Sequence, residues 1–206
     1  MALTTYDELK TSVADFLNRD DLTSVIPDFI TLAETSLNRT LRHWRMEKRA
    51  NAVADTQYTA LPSDYLEMIR LSIIDSTTST IENVGQFEIS KLRAQNNNTT
   101  GKPVNFTILD GSIELNPTPD AAYDVQLLYY GKIPPLNAQT TSNWVLENYP
   151  DAYLYGSLLH TAPYLQEDAR ATTWASLYKT ATDAINLDSE YAKTSGSGGR
   201  VKIRSY

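Results

Sequence analysis

Apolar residues recur at helical spacing toward both ends of this chain and alternate with polar ones through its middle. Thr5, followed three residues later by Glu8, makes a capping-box signature, and Leu9, Val13, Phe16 and Leu17 then mark one stripe of a first helix. The polar break Asn18-Arg19-Asp20-Asp21 leads to Thr23 or Ser24 as a second cap, with Pro27 tolerated in the first turn. Ile26, Phe29, Ile30, Ala33 and Leu37 form the stripe of a second helix, so the two are expected to pack as a hairpin.

From about Met46 the period shortens. Tyr65 to Ile74 reads as a strand after Leu61-Pro62-Ser63-Asp64, and Phe87 to Ala94 as a short helix. Val104, Phe106 and Ile108 alternate, Asp110-Gly111 supplies a two-residue turn, and Ile113 and Leu115 alternate again, which predicts a β-hairpin. Tyr123, Val125, Leu127 and Tyr129 make a further strand, and Gln95 to Gly101 is a polar loop. After Pro134-Pro135 helical spacing returns, around Trp144 to Tyr149 and again from Pro150. The last helix begins near Asp168 and carries Ala171, Trp174, Ala175, Tyr178, Ala181 and Ile185; Leu177, Ala184 and Tyr191 lie beside that stripe and predict contacts on two sides. The expectation is therefore an α+β protein, mainly an α-helical bundle with an inserted β-rich subdomain and an extended C-terminal tail. Residues 1–193 would form one domain, with helices in 1–45 and 143–193 and the β-rich insertion at 46–137; residues 194–206 would be a flexible tail.

Composition narrows the chemistry. With 206 residues and 41% hydrophobic content, a sizeable core can be buried, and a net charge of -7 argues against non-specific grip on nucleic acid. There is no cysteine, which removes disulfides, thiolate metal sites and cysteine nucleophiles. No basic start followed by an apolar run predicts a secretory leader, and no segment reaches the roughly 20 apolar residues of a bilayer span.

No catalytic constellation emerges. His43 and His160 are the only histidines, neither with a second histidine at metal-site spacing, and no phosphate-binding or nucleophile-elbow glycine motif occurs. Asp20 with Asp21 and Glu167 with Asp168 sit where helix caps and first turns favour acids. The sequence accordingly predicts no enzyme, no cofactor and no metal, and the thirteen tyrosines and three tryptophans read as packing or as subunit contact surface. The strongest cationic stretch, Arg39, Arg42, Arg45, Lys48 and Arg49, reads first as a solvated helix end followed by an outer strand face, and second as a patch facing phosphate or a partner. Ser195 to Gly199 is a spacer, and Arg200, Val201, Lys202, Ile203, Arg204, Ser205 and Tyr206 alternate basic and apolar side chains, a pattern suited to adding along a partner's sheet edge or groove.

Several phrases together resemble the head-to-tail adaptor, or head-completion connector, family of short-tailed bacteriophages. They are Tyr6-Asp7-Glu8-Leu9-Lys10, Leu17-Asn18-Arg19-Asp20-Asp21-Leu22, Ile26-Pro27-Asp28-Phe29-Ile30, Leu61-Pro62-Ser63-Asp64-Tyr65-Leu66 and Leu115-Asn116-Pro117-Thr118-Pro119, continued by Leu128 to Pro134, Tyr149 to Gly156, Ala162-Pro163-Tyr164-Leu165 and the basic terminus. The Ser76 to Thr80 run and the Asn/Thr loop depart from it. The resemblance implies a helical domain with a β-rich insertion and a dodecameric ring joining the portal to the tail nozzle. It also implies no catalytic site, and a C-terminal extension, here Arg200 to Tyr206, that docks on the portal protein. Such a protein would be made in the host cytoplasm and end in the virion at the head–tail junction, where double-stranded DNA passes without specific binding and no membrane is engaged. Competing readings are another virion connector or tail terminator, a cell-wall hydrolase whose carboxylates meet only in the fold, or a host-side interaction module.

Overall fold

The computed structural model describes residues 3–75, 78–165 and 168–195. It divides into two compact units, residues 1–44 with 133–206 and residues 45–132. The protein is mixed α and β, 46% helical and 24% strand. The expected emphasis on a mainly helical bundle is therefore corrected, because the middle third of the chain builds a complete seven-stranded sheet with its own core rather than a pair of hairpins.

In the first unit, α1 (Tyr6–Leu17) opens with the capping box: Glu8 N–H donates to Thr5 Oγ1 at 3.3 Å and Thr5 N–H to Glu8 Oε2 at 3.0 Å. It ends at Asn18 in the left-handed region, φ 51°. Helix α2 (Ile26–Thr40) lacks the side-chain cap expected at Thr23 or Ser24. The N–H groups of Val25 and Ile26 both bond to Leu22 O at 3.0 Å, so a backbone turn starts this helix instead. The one-turn α4 (Trp144–Asn148) leads into α5 (Pro150–Leu165), and α6 (Asp168–Thr194) closes the unit.

Helix α5 is enclosed by its neighbours, with Ala152, Tyr153, Ser157, Leu158 and Thr161 fully buried. Its contacts run to α1, α2, α4 and α6. Gly156 sets the spacing: a Cβ there would meet Tyr178 Cε2 at 3.0 Å and Ala33 Cβ at 3.2 Å. On α6 the expected inner stripe is buried at Trp174, Ala181 and Ile185, whereas Phe16 of α1, expected in the core, is 53% exposed.

The second unit contains strands β1 (Glu47–Ala54), β2 (Tyr58–Ala60), β3 (Tyr65–Ile73), β4 (Ser79–Asn83), β5 (Asn105–Leu109), β6 (Ser112–Asn116) and β7 (Tyr123–Gly131), with helix α3 (Gln86–Gln95) between β4 and β5. The sheet order is β1-β7-β3-β4-β5-β6-β2, and its two ends curl toward closure. The hairpin β5–β6 pairs Phe106 with Leu115 and Ile108 with Ile113, and its turn residues Asp110 and Gly111 have φ of 48° and 69°. Both angles are those a two-residue hairpin turn requires, which explains the Asp-Gly choice. Among the named strands of the described residues β4–β5 is the parallel pair, and α3 makes the crossover that such a pair needs. Leu71, Ile73, Ile81, Phe106, Leu115 and Leu127 fill the interior.

Helix α3 has a single buried residue, Ile89, and is held to the sheet chiefly by Arg93. Its guanidinium pairs with Glu114 and donates to Leu115 O at 2.9 Å, while Gln57 Nε2 donates to the same Glu114 oxygen at 3.1 Å. Both charged side chains are largely out of water, so deleting one strands the other. Arg93→Ala is expected to cost about 3 kcal/mol in urea unfolding, against about 0.5 kcal/mol or less for Lys91→Ala, whose partner Glu88 is exposed.

Candidate interaction surfaces

The two histidines occupy structural positions. His43 is 1% exposed and stacks on Trp144 at 4.8 Å between centroids, with Trp44 at 5.5 Å and Tyr149 at 6.0 Å. Asp188 lies 3.6 Å from its Nε2 and also accepts the Tyr149 hydroxyl. His160 has Ser36 Oγ 3.2 Å from Nε2, and burial together with Arg39 lowers its pKa. Asp21 is taken by Arg19 through two bonds of 2.7 Å, next to Asp20. Among the described residues no three His, Asp or Glu side chains gather as a metal site would require, and no helix is long and apolar enough to cross a membrane. A hollow of about 360 Å³ beside β1 is lined by Asn51, Ala52, Val53, Ile74, Asp124 and Val125, with a single ionisable group.

The polar groups that converge instead bind the chain to itself. Glu34, a carboxylate inside the apolar arc of α2, accepts Leu136 N–H at 2.6 Å and the Tyr153 hydroxyl at 3.2 Å. One turn on, Asn38 accepts Ile133 N–H at 2.9 Å. Asn143 caps α4 by accepting from Val145 and Leu146, and its amide donates to Tyr153 Oη at 2.7 Å and Pro134 O at 2.8 Å. The segment 133–143 is thereby tied along α2. Sequence reasoning missed these residues, although a carboxylate at 34, within the Ile30, Ala33 and Leu37 stripe, was the available signal.

In the second unit, Asp64 of the Leu61-Pro62-Ser63-Asp64 phrase accepts Lys48 Nζ at 2.5 Å and the Tyr129 hydroxyl at 2.9 Å, while its carbonyl accepts Lys132 N–H. Burial acts to raise the Asp64 pKa, but Lys48 and Tyr129 hold it below the usual carboxylate value. Burial and the Asp64 charge push the Tyr129 phenol up to about 12. Gly131 keeps this corner open, since a Cβ there would sit 2.7 Å from Lys48 Cδ.

The cationic stretch is divided: Arg39 and Arg42 belong to the first unit, and Arg45, Lys48 and Arg49 to the second. Arg42 Nη1 donates to Asn38 O and Leu41 O, and Lys48 is committed to Asp64, whereas Arg39, Arg45 and Arg49 are exposed. Arg200, Val201, Lys202, Ile203, Arg204, Ser205 and Tyr206 lie outside the described residues. The second stripe of α6, expected to be contacted, is exposed among the described residues: Leu177 and Tyr191 are 39% and 64% exposed, and Ala184 is exposed too.

Many of the buried polar groups are bonded within the chain, and several large apolar side chains, among them Phe16, Leu32 and Phe87, are exposed. The sequence model of the family described as SU10 adaptor protein matches residues 4–202. The chain belongs to that family, a phage head–tail adaptor family, and its role is structural. A comparison with curated proteins finds no match.

Burial raises the Glu34 pKa against the opposing bonds from Leu136 and Tyr153. The native state therefore holds this proton to higher pH than the unfolded chain, and Glu34's contribution to stability falls as pH rises from the ordinary carboxylate value through the raised one. The free-energy difference between Glu34→Gln and the parent should shift in favour of Gln across that window in urea titrations. A pH-independent difference would refute this.

Proposed function

We propose that the protein is a connector at the virion head–tail junction, in which copies of the chain, twelve in the expected ring, join the portal to the tail nozzle and let double-stranded DNA pass. The observation that carries this reading is the adaptor-family match over nearly the whole chain, together with large apolar side chains that are exposed among the described residues. Free chains are mainly monomeric, and portal docking gathers them into the ring. A ring built from one protein needs two different faces that fit each other, so open helix surfaces are the parts such an assembly uses.

The matched span includes Arg200, Val201 and Lys202 and ends before Ile203, Arg204, Ser205 and Tyr206. In this reading Arg200, Val201, Lys202, Ile203, Arg204, Ser205 and Tyr206 form an extended strand on the portal. Apolar side chains face its surface and basic ones meet its acids. Among Arg39, Arg42, Arg45, Lys48 and Arg49, the outward cations serve contacts between subunits. Truncation after Ser195 should leave melting within about 1 °C of the full chain, as expected of a terminal segment whose role is docking, and should abolish co-sedimentation with the portal. Full portal attachment by the truncated chain would overturn the tail assignment.

A net charge of -7 suits a conduit, because a lumen rich in lysine and arginine would hold phosphates and stall passage. Duplex DNA is expected to bind weakly or not at all at moderate salt in a fluorescence anisotropy titration. A sub-micromolar, salt-sensitive affinity is the result that contradicts a passive channel.

A further inference from the structure

Among the described residues the sheet of the second unit stops short of closing on itself, and its two outer edges belong to consecutive strands, β1 and β2. The bonds on their inner sides fix which main-chain groups these edges present, because successive residues of a strand turn their N–H and C=O to opposite sides. Ile74 N–H donates to Asp124 O at 2.7 Å, so Asp124 faces β3 and Val125 faces β1. Ala52, opposite Val125, therefore bonds to β7, and the N–H and C=O of Asn51 and Val53 point off the open edge. On β2, Leu115 N–H donates to Gln57 O at 2.8 Å and Leu61 N–H to Gly111 O at 3.0 Å. Thr59, between them, faces β6 as well, which turns the main-chain groups of Tyr58 and Ala60 to the open side. The Tyr58 carbonyl also accepts the Thr56 hydroxyl at 2.8 Å.

Both edges border one hollow of about 220 Å³, reached by Asn51 from one side and Ala60 from the other, with Leu71, Ile113, Val125 and Leu127 of the core behind it. Small side chains on β1 leave this space. Ala50 and Ala52 share the inner face with their cross-strand partners Leu127 and Val125, and Ala52 is exposed although it faces inward. On the outer face Val53 and Tyr58 are 52% and 50% exposed. Two open ladders on either side of an apolar hollow make a template for a further strand.

We infer that this slot takes an extended segment of another protein chain, running antiparallel to β1, with bulky apolar side chains at alternate positions filling the hollow beside Ala50 and Ala52. Its main chain bonds to Asn51 and Val53 on one side and to Tyr58 and Ala60 on the other. Strand β1 has eight residues and β2 three, so the longer ladder sets the direction, antiparallel pairing being the more stable. Charge selects the occupant. Arg49, the next outward residue along β1, is an exposed cation, so a segment with basic residues between its apolar ones, such as Arg200 to Tyr206, meets a like charge there. The slot lies within the second unit and serves with or without a ring.

A labelled peptide, Thr-Val-Thr-Ile-Thr-Val-Thr, is expected to bind the full chain saturably in fluorescence anisotropy, and a peptide alternating threonine with serine about tenfold or more weakly. Hydrogen exchange locates the contact: the amides of Asn51, Val53, Tyr58 and Ala60 exchange freely in the chain alone and slow about tenfold or more with peptide bound, whereas Ala52 and Thr59 are slow in both. Ala52→Leu fills the hollow and should weaken the peptide about tenfold or more, with a urea midpoint equal to or above the parent's, which a misfolded variant would not show. Val53→Pro, which deletes an N–H that faces away from β7, should weaken it too. Protected Asn51 and Ala60 amides in the chain alone would mean that the two edges close on each other, and would overturn the proposal. So would binding indifferent to Ala52→Leu, or no binding at millimolar peptide. Tighter binding of a peptide copying Arg200 to Tyr206 would assign the slot to this chain's own terminus and sink the foreign occupant.

Discussion

Helix α5 can be enclosed on several sides only because its contact positions are small. Gly156 lets α2 and α6 approach until Ala33 and the Tyr178 ring sit where a side chain would otherwise stand. Ala152, Ser157 and Thr161 continue that close packing along the helix. Packing at this separation leaves no room for water, so polar atoms within the unit need protein partners. Thr161 meets the condition by donating to Leu158 O, and Tyr153 by sitting between Glu34 and Asn143, whereas the Ser157 hydroxyl, equally buried, has no hydrogen-bond partner.

The two units solve the same problem in different ways. The helical unit ties an irregular segment, 133–143, to α2 through Glu34 and Asn38, and α6 anchors the end of α2 through Asn186 and Ser189, which accept Arg42 N–H and Trp44 N–H. The sheet unit depends on alternation, with one buried ion pair fastening α3 and one half-exposed corner at Asp64 fastening the start of β3. Both arrangements use charge to hold the chain in place.

Much of this was legible in the residues. Local codes read correctly: the Thr5 and Glu8 capping box, the Asp110-Gly111 turn, the inner stripe of α6. Each depends on a few neighbouring positions whose chemistry permits one local geometry. Long-range pairing was not legible. Strand β1, Glu47 to Ala54, is rich in alanine and charge and gives little alternation, so its partnership with β7 and the near-closure of the sheet were hidden and the helical share was overestimated. Phe16 fits its helical stripe and still faces outward, because periodicity places a residue on a face without saying what covers it. The same limit applies to Leu177, Ala184 and Tyr191: the sequence marks a second apolar face, and among the described residues these side chains are exposed. The tail was readable as a pattern alone.

The inserted sheet has a consequence for the order in which the polypeptide matures. Strand β1 begins where β7 ends, with Glu47 opposite Tyr130, so the chain leaves and re-enters the helical unit at neighbouring points. Bringing together the ends of an unstructured run of about ninety residues would cost about 4 kcal/mol of closure entropy. Once the sheet has formed, that cost has been met before α4 to α6 emerge from the ribosome, and the late helices find α1 and α2 already within reach. The insertion thus acts as a clasp for vectorial synthesis.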